Sequence, residues 1–145
     1  MSADLIFSIA NFAVLPGWAL LMLLPRWKWT LAVICPGLLP FLLGLAYIAI
    51  FATRGMSGPE GGGFGSLQAV AILFSNPYAL TAGWIHYLAF DLFVGCWEVN
   101  DSHKKGISHW LVVPCLILTF LLGPAGLALY LIIRTIKSRS VIIYA

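Results

Sequence analysis

Charge is scarce in this sequence: Asp, Glu, Lys and Arg make up 9% of its 145 residues, against about 25% in soluble proteins. A chain this short cannot bury a composition that is 61% apolar, because small domains leave much of their surface wet. Hydrocarbon is the solvent that fits. The net charge of +3 is weak and scattered, which argues against a nucleic-acid partner. Cysteine is sparse as well. Cys35, Cys96 and Cys115 each lie in an apolar run without C-x-x-C spacing, so they read as small buried apolar residues and give no support to a disulfide framework. No E-x-x-H, H-x-x-x-H or H-E-x-x-H pattern occurs, and a metal site has little support. Met1-Ser2-Ala3-Asp4 leads straight into an apolar run. It lacks both the basic start of a secretory signal and the Arg- and Ser-rich composition of a transit peptide, so a bacterial protein or a processed organellar form is expected.

Long hydrophobic runs are what the chain has in place of charge. About 20 apolar residues cross roughly 30 Å of hydrocarbon, and four segments qualify: 5–24, 30–52, 78–97 and 110–133. The expected fold is all-α, a single integral-membrane domain over 1–145 built as a polytopic bundle of four kinked helices. Pro16, Pro36, Pro40, Pro114 and Pro124 fall inside the runs and read as kinks, since neighbouring helices satisfy the freed carbonyls. Between the second and third runs, Gly58-Pro59-Glu60-Gly61-Gly62-Gly63 makes a flexible loop. A short interfacial helix is expected over about 66–75, with Ser66 as its N-cap. Orientation ties under this topology: Arg54, Arg134, Lys137 and Arg139 fall on one side, Arg26, Lys28, Lys104 and Lys105 on the other.

Ionisable groups inside a span are expensive, so they have a partner or a function. The third run holds nearly all of them. At 100° per residue, Tyr87, Asp91 and Glu98 share a face with Gly95, which leaves room above Asp91 for a helix or a ligand. His86 points about 140° away from Asp91 and shares its side with Phe90, Phe93 and Trp97. Glu98 is expected at headgroup level beside Asn100 and Asp101, with a short polar turn from Asp101 to His109 and Ser108 capping the fourth span. The plain structural alternatives are a packing bond from Asp91 to Tyr47, Thr119 or Asn11, a satisfied bundle residue at His86, and interfacial turn residues at His103 and His109. Trp84, Tyr87, Phe90, Phe93 and Trp97 suit lipid contact or the flanks of a flat polyene.

The run Gly83-Trp84-Ile85-His86-Tyr87-Leu88-Ala89-Phe90-Asp91-Leu92-Phe93-Val94-Gly95 resembles the family named after abscisic-acid-deficient four, plastid membrane proteins required for neoxanthin formation. The likeness continues through Asp101-Ser102, Gly106-Ile107, His109, Pro114, Leu121-Leu122-Gly123-Pro124-Ala125-Gly126-Leu127, Tyr130 and Arg134. The chain departs from the family pattern at Cys96, where an arginine is expected, and at Glu98, where an apolar residue is usual; the missing arginine removes a partner for Asp91 or Asp101. The resemblance implies a carotenoid substrate and isomerisation of an epoxy-xanthophyll to an allenic alcohol without a redox cofactor. A carboxyl in hydrocarbon favours its neutral form, so Asp91 is the candidate acid, with His86 or Tyr87 as base or orienter. Trp84, Phe90, Gly95, Trp97, Glu98, Asp101 and His109 are the candidate substrate- or pigment-binding residues. The alternative is a non-catalytic carotenoid- or chlorophyll-binding or assembly subunit, in which His86 ligates a chlorophyll magnesium. Membrane lipids, a carotenoid, and a second copy or a pigment–protein complex are the expected partners. A thylakoid or plasma membrane of a photosynthetic bacterium, or a plastid membrane, is the expected location.

Overall fold

The computed structural model describes residues 1–54 and 58–139. Among these are six α-helices and no strand: α1 (Ala3–Leu23), α2 (Leu39–Arg54), α3 (Leu67–Phe74), α4 (Pro77–Lys104), α5 (His109–Leu122) and α6 (Pro124–Ser138). A π-helical stretch over Thr30–Leu38 leads into α2. The glycine-rich connection expected after the second run begins at Gly55, and residues 55–57 lie outside the described residues.

Among the described residues, three segments are long and apolar enough to cross a membrane: Ala3–Leu23, Thr30–Arg54 and Pro77–Lys104. Their outer faces present Phe12 at 74%, Phe41 at 63% and Phe90 at 59% exposure. Patches of that kind aggregate in water and are at home in hydrocarbon.

Local chemistry sets the helix starts. The Ser2 hydroxyl accepts from the Leu5 amide at 3.3 Å, and the Ser66 hydroxyl, at the expected N-cap of α3, from Ala69 at 3.1 Å. Asn76 caps α4 ahead of Pro77, whose fixed φ suits the first helical position. Pro36 has no N–H to give to the i→i−4 ladder, and the chain passes it in the wider π pitch. The Thr30 hydroxyl closes the basic and aromatic turn of residues 25–29 by donating to the Leu24 carbonyl at 2.9 Å.

Cross-bundle bonds fix the directions. Arg54 Nη2 and the Tyr78 hydroxyl both donate to the Met1 carbonyl, at 3.3 and 3.2 Å. The starts of α1 and α4 and the end of α2 therefore meet at one end. At the other end, His109 Nε2 lies 2.9 Å from the Met22 carbonyl, joining the start of α5 to the end of α1.

Two sequence expectations are corrected at the C-terminal half. The third run does not stop at Trp97: α4 continues to Lys104 and carries Glu98 and Asp101 with it. The fourth run, expected as one kinked helix over 110–133, is two helices that meet at Gly123 and fold back on each other. The residue pairs show this. Asp91 lies against Gly123, Trp97 packs edge-on against Tyr130 at 5.5 Å, and Asp101 bonds Tyr130 and Arg134. α6 therefore runs alongside α4 in the same direction, while α5 runs opposite to both. A Cβ on Gly126 would meet the backbone of Thr119 and Cys115, a closeness that only a folded-back hairpin produces.

The turn has a physical cause. Pro124 removes an N–H from the ladder, and Gly123 takes a φ of +44°, where a Cβ is strained. The proline here ends a helix where a kink was expected. With α6 running back, Lys137 and Arg139 share an end with Arg26, Lys28, Lys104 and Lys105, and Arg54 sits at the opposite end. The four-to-four tie rested on a fourth crossing and dissolves with it.

Candidate functional site at the hairpin tip

Asp91 stands near the middle of α4, facing the α5–α6 turn. A Cβ at Gly123 would lie 2.9 Å from Asp91 Oδ1 and 3.1 Å from Oδ2, so the carboxyl occupies space that only glycine leaves open. Oδ2 is buried and has no hydrogen-bond partner. The expected packing partners are engaged elsewhere. Thr119 donates to Glu98 Oε1 at 3.0 Å, Asn11 accepts from the Trp84 indole at 2.9 Å, and Tyr47 packs against Phe51 at 4.8 Å.

Tyr87, one turn before Asp91, donates its hydroxyl to the Phe120 carbonyl at 3.3 Å. That carbonyl is the group that Pro124, four residues on, cannot serve. The tyrosine thus braces the turn beside the acid. Above it the α4 face is open: Trp84 stacks on Tyr87 at 5.2 Å and meets Phe7 of α1 at 5.6 Å, and Leu80 continues the strip at 55% exposure. An aromatic strip, Phe7–Trp84–Tyr87, thus leads from one end of the bundle down to a carboxyl at the hairpin tip.

The other expected site residues are divided among separate places. His86 is not brought to Asp91. It lies exposed on the outer face, stacked on Phe90 at 4.4 Å and 6.2 Å from the Tyr47 ring. The room expected above Asp91 at Gly95 is filled by Trp18 of α1, whose ring atoms would lie 2.8 Å from a Cβ there. Trp97 packs on Tyr130.

Glu98, expected at headgroup level, is fully buried against Thr119, with Oε2 unpartnered. Asp101, expected in a polar turn, is buried inside α4's length. Its Oδ2 accepts from Arg134 Nε at 2.7 Å and from the Tyr130 hydroxyl at 2.6 Å. His109 bonds the end of α1, and Ser108 holds the N-cap position of α5 without a side-chain bond. Sequence reasoning did not place Arg134 and Tyr130 beside Asp101, and it offered Thr119 to Asp91 where the structure bonds it to Glu98. Arg134 was counted in a basic tail, yet the spacing of Gly126, Tyr130 and Arg134 at intervals of four marks one face of a helix, and all three are buried. Arg134 also supplies the guanidinium for Asp101 that the missing arginine at Cys96 left in question.

Against known proteins, residues 5–130 match the ABA DEFICIENT 4-like family. The chain belongs to that family. No curated protein and no solved structure matches it. The matched region spans all three long apolar segments, the hairpin tip and Tyr130, so both Asp91 and the aromatic strip belong to the ABA DEFICIENT 4-like unit.

Proposed function

We propose that this ABA DEFICIENT 4-like protein modifies a xanthophyll dissolved in the bilayer, isomerising an epoxide to an allenic alcohol at Asp91. The observation that carries the reading is the unpartnered Asp91 oxygen at the foot of the exposed Phe7–Trp84–Tyr87 strip. Flat aromatic faces suit a polyene, and a carboxyl held among hydrocarbon keeps a proton to give. Asp91 protonates the epoxide oxygen and the C–O bond opens to an alcohol. The carboxylate then takes the proton from the adjoining polyene carbon, and the released electron pair completes the allene. The acid is regenerated and no oxidant is consumed. Tyr87 holds the turn and the reacting end in place.

In this reading α1, the Thr30–Arg54 segment and α4 cross the membrane, and the α5–α6 hairpin dips in and returns. The basic end that holds Lys104, Lys105 and Lys137 faces the cytoplasm or stroma. A photosynthetic membrane, bacterial or plastid, is where such a substrate occurs.

His86 supports a second reading. Exposed between Phe90 and Tyr47, it is placed for a pigment docked on the outer face, as in a non-catalytic carotenoid- or chlorophyll-binding subunit.

Expression in a carotenoid-producing host, followed by chromatography of the pigments, separates the two. A new allenic xanthophyll that is absent with Asp91→Asn and retained in His86→Phe supports the isomerase. Unchanged pigments, with a carotenoid co-purifying until His86 is replaced, refute it in favour of the binding subunit.

A further inference from the structure

A second polar cleft lies at the basic end, between the turn that follows α1 and the connection from α4 to α5. It encloses about 320 Å³ and is lined by Arg26, Ser102, His103, Ser108, His109 and Trp110, with Gly106 and Ile107 between them. We propose that this cleft binds the phosphate of an anionic membrane lipid.

The donor set carries the proposal. No Asp or Glu lines the cleft. The nearest carboxylate in sequence, Asp101, is already held by Arg134 and Tyr130, and Glu98 is bonded to Thr119. Arg26 projects from the α1–α2 turn without an ion pair or hydrogen bond among the described residues. Ser108 stands at the start of α5 with its hydroxyl not used as a cap. On the inner wall, His109 uses Nε2 toward the Met22 carbonyl, while Nδ1 is buried and unpartnered.

A phosphate accepts from the guanidinium in two places at once and from the Ser108 hydroxyl, while His109, its Nε2–H held by the Met22 carbonyl, walls the cleft. The phosphate also meets the positive end of the α5 dipole. The polar groups that line the cleft are thus Arg26 from the turn, Ser102 and His103 from α4, and Ser108 and His109 at the start of α5.

The setting identifies the phosphate as a lipid's. Trp110, at 83% exposure, stands on the cleft wall, and Trp27 and Trp29 on the same turn as Arg26 are 46% and 47% exposed. Indoles collect at headgroup depth. Leu23 and Leu24, at 77% and 52% exposure, continue the apolar surface below the turn and offer an acyl chain a place to lie. A soluble phosphate would use the same donors and none of this apolar surface.

The test uses the full chain in phosphatidylcholine nanodiscs, titrated with phosphatidylglycerol, with retained lipids counted by native mass spectrometry. One phosphatidylglycerol per chain is expected to survive gas-phase activation. Arg26→Gln weakens its retention about tenfold, the scale of one charged hydrogen bond. His103→Gln weakens it less. Lys137→Gln, at the same end but outside the cleft, leaves it unchanged. Arg26 is exposed, and a circular dichroism melt in neutral lipid checks that its replacement leaves the fold intact. Equal losses in Arg26→Gln and Lys137→Gln mean diffuse attraction to an anionic leaflet and overturn the site. Full displacement of the lipid by inorganic phosphate or glycerol 3-phosphate overturns the lipid as occupant.

Discussion

The Asp101–Arg134 pair is the firmest test of the hairpin, because the fold-back alone brings these residues together. Arg134 is 1% exposed and Asp101 7%, with Nε and Oδ2 at 2.7 Å and the Tyr130 hydroxyl on the same oxygen at 2.6 Å. Asp101→Ala takes the bonded carboxylate away from a buried guanidinium, a loss of about 3–5 kcal/mol where a buried pair is broken on one side. The stranded Tyr130 hydroxyl adds about 1–3 kcal/mol. A loss near 4 kcal/mol lowers the folded-to-unfolded ratio about a thousandfold.

Replacing both partners, as Asp101→Leu with Arg134→Met, removes both charges. It is expected to recover most of that loss, since well-packed apolar groups substitute for buried pairs at little net change. The assay is reversible unfolding in mixed micelles for the wild type, both single variants and the double, read as a double-mutant cycle. A coupling energy of about 2 kcal/mol or more is expected. Additive single effects, or an Asp101→Ala loss below about 1 kcal/mol, the range for exposed pairs, would refute the placement of α6 against α4.

Two further predictions concern the same region. Single-cysteine reporters at Lys105 and Arg139 are expected to label from one side of a sealed vesicle and a reporter at Glu60 from the other; the native Cys35, Cys96 and Cys115 are all buried and give little background. Labelling of Arg139 with Glu60 would restore a fourth crossing. Gly123→Ala forces a Cβ into a positive φ and against the Asp91 carboxyl. It should lower stability by about 1–3 kcal/mol, measured by the same unfolding assay, and abolish any Asp91-dependent pigment conversion while the chain stays folded; unchanged conversion would separate the turn from the chemistry.

Composition made the three long apolar helices legible, because scarce charge and runs of about 20 apolar residues constrain a chain strongly. The N-cap at Ser66 and the shared face of Tyr87 and Asp91 were also readable, since both follow from local geometry. The hairpin was not. A proline–glycine interruption has the same signature whether a helix bends or reverses, and hydropathy continues across Gly123 in either case. What distinguishes them is the polar periodicity of Gly126, Tyr130 and Arg134, which makes sense only once α4 is known to offer Asp101 across from it. The burial of Glu98 was not legible for a related reason. A carboxyl close to a polar segment reads as wet, yet α4 extends through Lys104 and Thr119 reaches it from α5.

Because α5 and α6 turn back at the level of Asp91, the two halves of the bundle differ in thickness. In the proposed membrane placement, one half of the bilayer would hold five helical segments and the other three. The hairpin tip meets α4 at Tyr87 and Asp91, and the flank of α4 from Leu80 to Trp84 lies beyond it. On the proposed function, a xanthophyll would approach the acid sideways within a single leaflet, with its long axis along the lipid tails and without an aqueous mouth, so access would depend on which monolayer holds it.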